Sequence, residues 1–259
     1  MDKDVTAGPR GHPRRLTPIE TMLPLMLGLT AALAEVFGGL IIVRRRWERR
    51  YLQYFIALGA GFLLAAVFLE MIPEALRLAG QRALLFVLIG YLIVHLAEHT
   101  LSSHFHFGEE VHGEEIAGGG RSFAVLTGLM IHAFFDGIAI ASGFLVSNWL
   151  GLVLFAAIFL HKIPEGFTVA SVMVAGGRGP RTAMISAALL GASTMSGVLV
   201  MMVFSRGVSV GLPLAAGVCI YVAASDLIPE INQQPGIRLA LVVFVGVGLL
   251  LALRYLLRV

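Results

Sequence analysis

A chain of 259 residues that is 58% hydrophobic and only 14% charged cannot clothe a soluble globule, whose surface needs far more charge. The net charge of +3 does not argue for nucleic acid, because the basic residues lie in short loops and at the ends, where membrane proteins keep them. One cysteine, Cys219, stands inside an apolar run, which excludes an internal disulfide and a thiolate metal cage.

A bilayer core asks for about 20 consecutive apolar residues per helix. Eight runs meet that length, at 18–43, 51–73, 83–101, 122–146, 149–174, 181–205, 207–231 and 238–257. The expected fold is an all-α multi-pass membrane protein with eight transmembrane helices. Residues 1–17 are polar and read as a disordered tail without a cleavable signal. The cluster RRRWERR (44–50), Arg121, Arg178, Arg181 and Arg238 share one side; Arg77, Arg82 and Arg206 fall on the other. Loop charge therefore puts the first set in the cytoplasm and both termini outside. Basic residues at the ends (Lys3, Arg10, Arg14, Arg15, Arg254, Arg258) argue the reverse, and the loop count is preferred.

Run two ends in EMIPE (70–74), run five contains HKIPE (161–165), and run seven ends in DLIPE (226–230). Runs two and seven cross in opposite directions, yet share an acid, one residue and Ile-Pro-Glu. Inverted repeats of helices 1–3 (18–101) and 6–8 (181–257) around helices 4–5 (122–174) would produce this 3+2+3 pattern, with a site near the midplane. Between runs three and four lies SSHFHFGEEVHGEEIAGGGR (102–121), expected as a cytoplasmic loop. It cannot form a packed core, but His104, His106 and His112 with four glutamates can associate with divalent metal at an ordering cost. The plainer reading is a solvated linker.

Charges in a bilayer core are costly and mark functional sites by default. Run four carries His132 and Asp136, and run five His161 and Glu165, each pair four residues apart and so on one helical face. Adjacent antiparallel helices would then offer two nitrogens and two carboxylates to one ion. That set suits Zn²⁺ in tetrahedral geometry, and Fe²⁺, Mn²⁺ or Cd²⁺ if water or further carboxylate oxygens join. Two carboxylates neutralise a dication and remove most of the penalty of unpaired charge. Pro164 takes the helical donor from the Leu160 carbonyl and should bend the helix beside the site. Gly137 and Gly166, after each carboxylate, allow close helix approach.

HAFFDG followed by HKIPEG in the next helix resembles the paired fourth- and fifth-helix motifs of the ZIP (Zrt/Irt-like) divalent metal transporters. Eight runs and a histidine-bearing loop after the third extend that resemblance along the whole chain. It implies metal import toward the cytoplasm, elevator-like alternating access, and His132, Asp136, His161 and Glu165 as the primary metal ligands. Some family members hold two metals, with an amide beside the fourth-helix histidine and an acid or amide after the first fifth-helix ligand. Here those positions are Ala133 and Lys162, and run six has no carboxylate. One metal is therefore expected, with Lys162 standing in for a second ion's charge; the alternative is a snorkelling lysine or an ion pair with Asp226 or Glu230. Glu70 and Glu74 at the outer mouth, and Asp226 and Glu230 at the inner, are expected to line the pathway.

The rival readings are a cation-diffusion-type exporter, normally of six helices with a soluble C-terminal domain, and an intramembrane metallohydrolase. The hydrolase needs an open metal position and a base, as in HExxH, which is absent. The chain is thus expected to be no enzyme and to use metal as cargo, without a catalytic cofactor. Its partners are the dication and the lipid bilayer of the cell membrane, with a homodimer admitted but not required and no nucleic acid.

Overall fold

The computed structural model describes residues 18–44, 49–101, 121–233 and 235–257; the tail 1–17 and His104, His106 and His112 lie outside them. Among the described residues all regular structure is helical. Helix α1 is Pro18–Arg44. Helix α2 runs Arg49–Ala66, passes a π-helical turn at Val67–Met71 and continues as Ile72–Ala79. Then come α3 (Arg82–Leu101), α4 (Arg121–Val146), α5 (Asn148–Ala175) and α6 (Pro180–Val203). Helix α7 is Val208–Tyr221, a π-helical turn at Val222–Leu227 and Ile228–Asn232, and α8 is Arg238–Leu257. All eight are long and apolar enough to cross a membrane, as the hydropathy runs require.

Helix α2 does not stop at EMIPE; its span reaches Ala79. Pro73 and Pro229 each follow a π-helical turn, which widens the backbone so that the ring clears the preceding carbonyl. The Leu69 carbonyl, which Pro73 deprives of its α-helical donor, lies 3.5 Å from Arg254 Nη1. Pro164 behaves differently, since α5 stays α-helical from Asn148 to Ala175. The three Pro-Glu echoes are therefore two π-turn stations and one helix-interior proline.

Helices α1, α4, α5 and α6 pack on one another, while α2 pairs with α8 and α3 with α7. The two groups meet chiefly along α2–α5 and α4–α7. Only 11% of the α8 span and 22% of the α3 span is buried, against 61% for α2, α4, α5 and α7, so α3 and α8 form the rim and the others the centre. Within each group glycines let backbones touch. A Cβ on Gly166 (α5) would fall 1.9 Å from the Glu35 carbonyl oxygen (α1), and one on Gly137 (α4) 1.9 Å from that of Thr194 (α6). In the second group, Gly61 (α2) stands in this relation to Val243 (α8) at 2.0 Å, and Gly217 (α7) to Val87 (α3) at 1.9 Å. Across the boundary, a Cβ on Gly59 (α2) would meet Leu160 (α5) no closer than 3.4 Å, an ordinary contact.

A single residue, Ser147, separates α4 from α5, which forces the two helices antiparallel and side by side. Its extended backbone (φ −157, ψ 154) and its hydroxyl, which accepts from the Leu150 N–H at 3.1 Å, make it the N-cap of α5. Measured back from this joint at 1.5 Å per residue, Asp136 lies about 16 Å deep and His161 about 21 Å, so the two motifs meet at similar depth. Ser147→Ala is expected to cost about 1 kcal/mol, read as a lower thermal midpoint in detergent; an unchanged midpoint would mean that water replaces the hydroxyl without loss.

Candidate metal site

His132 and Asp136 project from α4, and His161 and Glu165 from α5, all four buried. One ligand atom from each lies within 4.8 Å of all the others. Asp136 Oδ2 is the hub, 3.1 Å from His132 Nε2 and 3.2 Å from His161 Nε2. Glu165 Oε1 stands 3.9 Å from His132 Nε2.

The arrangement wants a cation. His161 Nδ1 lies 3.1 Å from the Ala157 carbonyl oxygen, which can only accept, so this nitrogen carries the proton. Nε2 then faces Asp136 Oδ2 at 3.2 Å, a contact that either a second ring proton or a metal ion can bridge. Asp136 Oδ1, Glu165 Oε1 and both ring nitrogens of His132 are buried without a hydrogen-bond partner. The His132 Nε2 approach to Asp136 is close but not aligned as a hydrogen bond. Orphaned buried polar atoms are expensive, and these belong to three of the four residues whose ligand atoms lie together. Nitrogen and carboxylate donors in this number fit Zn²⁺ and related first-row dications.

Lys162 is wholly buried, and its Nζ lies 2.8 Å from Asp136 Oδ2, 2.7 Å from Glu165 Oε2 and 2.7 Å from Glu35 Oε1. It is ion-paired, but these three carboxylates hold it where Asp226 and Glu230 were the expected partners. The reason is register. Lys162 is one residue from His161 and three from Glu165, on the side of α5 that packs against α1, while Asp226 and Glu230 belong to α7. Sequence reasoning missed Glu35 altogether. Its signal was available, since an acid near the middle of an apolar run is a functional candidate by default. Thr194 of α6 was missed as well; its hydroxyl donates to Glu35 Oε1 at 3.0 Å.

The remaining candidates lie apart from this cluster. Glu70, in the α2 π-turn, faces Arg254 Nε at 3.2 Å and accepts from Trp149 Nε1 at 3.4 Å. Glu74 is paired with Arg77. Asp226 and Glu230 are buried on α7, which packs against α4. Glu98 of α3, also missed, accepts from the Tyr221 hydroxyl at 2.9 Å.

Eight spanning helices around a buried His-Asp-His-Glu cluster define an integral membrane protein with a candidate metal site at mid-depth. The profile of the ZIP zinc transporter family matches residues 108–254, more than half of the chain, and the protein belongs to that family, one of transporters and not of enzymes. An uncharacterized protein of Methanocaldococcus jannaschii is 24% identical over 200 residues, covering 76% of this chain and 82% of its own. Zinc transporter ZIP13 of Pongo abelii is 25% identical over 243 residues, covering 83% of this chain and 72% of its own. Zinc transporter ZIP9 of Micropogonias undulatus is 26% identical over 162 residues, or 56% of this chain and 50% of its own. The chain thus spans about half the length of ZIP9, and it spans 21% of the zinc transporter foi of Drosophila melanogaster.

Proposed function

We propose that this protein imports a divalent metal ion toward the cytoplasm by alternating access, with zinc the first expected cargo and iron, manganese and cadmium as competitors. The observation that carries the reading is the buried four-donor cluster, in which both carboxylates and His132 keep atoms without a hydrogen-bond partner. His132, Asp136, His161 and Glu165 bind the ion, and their two negative charges cancel its own. Lys162 supplies the charge that a second ion would bring, so one metal occupies the site. The zinc transporters among its relatives support the cargo.

Alternating access is supported by the packing. Exchanging α1 with α6, α2 with α7, α3 with α8 and α4 with α5 turns the α1–α5 contact into α6–α4, the α2–α8 contact into α7–α3, and the α2–α5 contact into α7–α4, all of which are present. The π-turns of α2 and α7 exchange likewise. This favours the 3+2+3 inverted repeat. The backbone-to-backbone glycine contacts favour two rigid bodies that slide along the looser α2–α5 and α4–α7 faces. With both termini outside the cell membrane, Glu70 and Glu74 attract cations at the outer mouth, and Asp226 and Glu230 draw the released ion inward. The histidines of the 102–121 loop then hold it loosely on the cytoplasmic side.

The decisive experiment is zinc and cadmium uptake into proteoliposomes by wild type, His161→Ala and Glu165→Ala. Each variant is expected to lose at least about tenfold in uptake, as removal of one partner from a buried charged cluster costs several kcal/mol. Accumulation untouched by either change would remove the cluster from transport. Release in place of uptake would favour an exporter.

A further inference from the structure

Three buried carboxylates surround the Lys162 ammonium, and the metal reading uses only two of them. Asp136 and Glu165 belong to the four-donor cluster, whereas Glu35 lies outside it. Glu35 is fully buried, with Oε1 2.7 Å from Lys162 Nζ and 3.0 Å from the Thr194 hydroxyl. Its backbone is fixed too, because its carbonyl oxygen occupies the space that a Cβ on Gly166 would need, at 1.9 Å. A carboxylate so deep in a membrane protein is costly unless it is matched by charge or serves the pathway.

We infer that Glu35 is a positioning residue, which takes over the Lys162 ammonium when a dication claims Asp136 and Glu165. The inference rests on the metal-transport reading. Lys162 bridges Asp136 Oδ2 and Glu165 Oε2 and offsets the like charges of the two ligands. When the dication arrives, it attracts those same carboxylates and repels the ammonium. Glu35 then provides one acceptor that the metal does not use, held in place by the Thr194 hydroxyl and by the close contact of α1 with α5. The ammonium need only shift its weight from two carboxylates to the third, without leaving its pocket. The carboxylate missing from α6 is in this sense supplied by α1, beside the α6 residue Thr194.

Remove Glu35, and the ammonium has only metal ligands to lean on, so lysine and cargo compete directly. The test titrates purified full-length protein in detergent with Cd²⁺ by calorimetry. It compares wild type, Glu35→Gln, Glu35→Asp, Lys162→Met and the two double variants that combine a Glu35 change with Lys162→Met. Glu35→Gln is expected to raise the Kd about tenfold or more, and Glu35→Asp, which keeps the charge on a shorter arm, to raise it less. Against Lys162→Met neither Glu35 change should move the Kd, because no ammonium is left to accommodate. A purely structural role would give the same penalty with and without the lysine, and that result, or a wild-type Kd in Glu35→Gln, would overturn the inference. Should Glu35→Gln fail to fold, the Glu35→Asp pair measures the same coupling. Failure of the underlying reading looks different: wild type would bind no Cd²⁺, or His161→Ala would bind it as wild type does.

Discussion

Asp136→Asn is expected to abolish metal accumulation in proteoliposomes and to weaken Cd²⁺ binding by roughly 10²- to 10³-fold or more. The substitution preserves shape and removes one charge, so its effect isolates electrostatics. In the wild type, Oδ2 of this residue lies 2.8 Å from Lys162 Nζ, 3.1 Å from His132 Nε2 and 3.2 Å from His161 Nε2, while Oδ1 has no hydrogen-bond partner. Removing one partner from a buried, hydrogen-bonded set of charges costs about 2–5 kcal/mol of binding, and about 1.4 kcal/mol is a factor of ten in affinity. The fold should survive, because Lys162 retains Glu35 and Glu165 at 2.7 Å each. An unchanged elution profile with lost binding is therefore the expected pair of results. Wild-type Cd²⁺ affinity in Asp136→Asn would show that this carboxylate is no ligand, whatever its place at the hub.

Some of this architecture is legible in the amino-acid sequence and some is not, for physical reasons. Apolar runs are set by bilayer thickness, so the eight spans stand out and most of their edges agree within a few residues. His132 with Asp136, and His161 with Glu165, are readable because helical periodicity is local: four residues always bring side chains to one face. Whether α2 stops at Pro73 is not local in the same way. A π-helical turn absorbs the ring and carries the helix to Ala79. The pairing of Glu35 was unreadable for a related reason, since its partner Lys162 lies far along the chain and meets it only once α1 packs on α5. A lone acid within an apolar run advertises importance without naming a partner. Lys162 shows the converse: its need for a counter-ion is evident from sequence, and the identity of that counter-ion belongs to tertiary packing.

Gly166→Ala is expected to be among the most damaging single-atom additions available in this protein. The new Cβ would lie 1.9 Å from the Glu35 carbonyl oxygen and 2.6 Å from its carbonyl carbon, and backbone cannot swing aside as a side chain can. Helix α1 must retreat by more than an ångström. Overpacking of this kind costs about 1–3 kcal/mol or more, and here it also draws Glu35 away from Lys162, coupling stability to the site. Gly137→Ala should behave alike on the other side, through the Thr194 carbonyl oxygen at 1.9 Å. Gly248→Ala in α8 is the control, because nothing lies within 4 Å of its Cβ and alanine is the better helix former. In detergent, the thermal midpoints of the Gly166 and Gly137 variants should fall well below that of Gly248→Ala, with uptake falling in parallel. Equal midpoints for all three would mean that α1 and α6 do not approach α5 and α4 as closely as these distances require. The rigid body on which the proposed sliding depends would then have to be sought elsewhere.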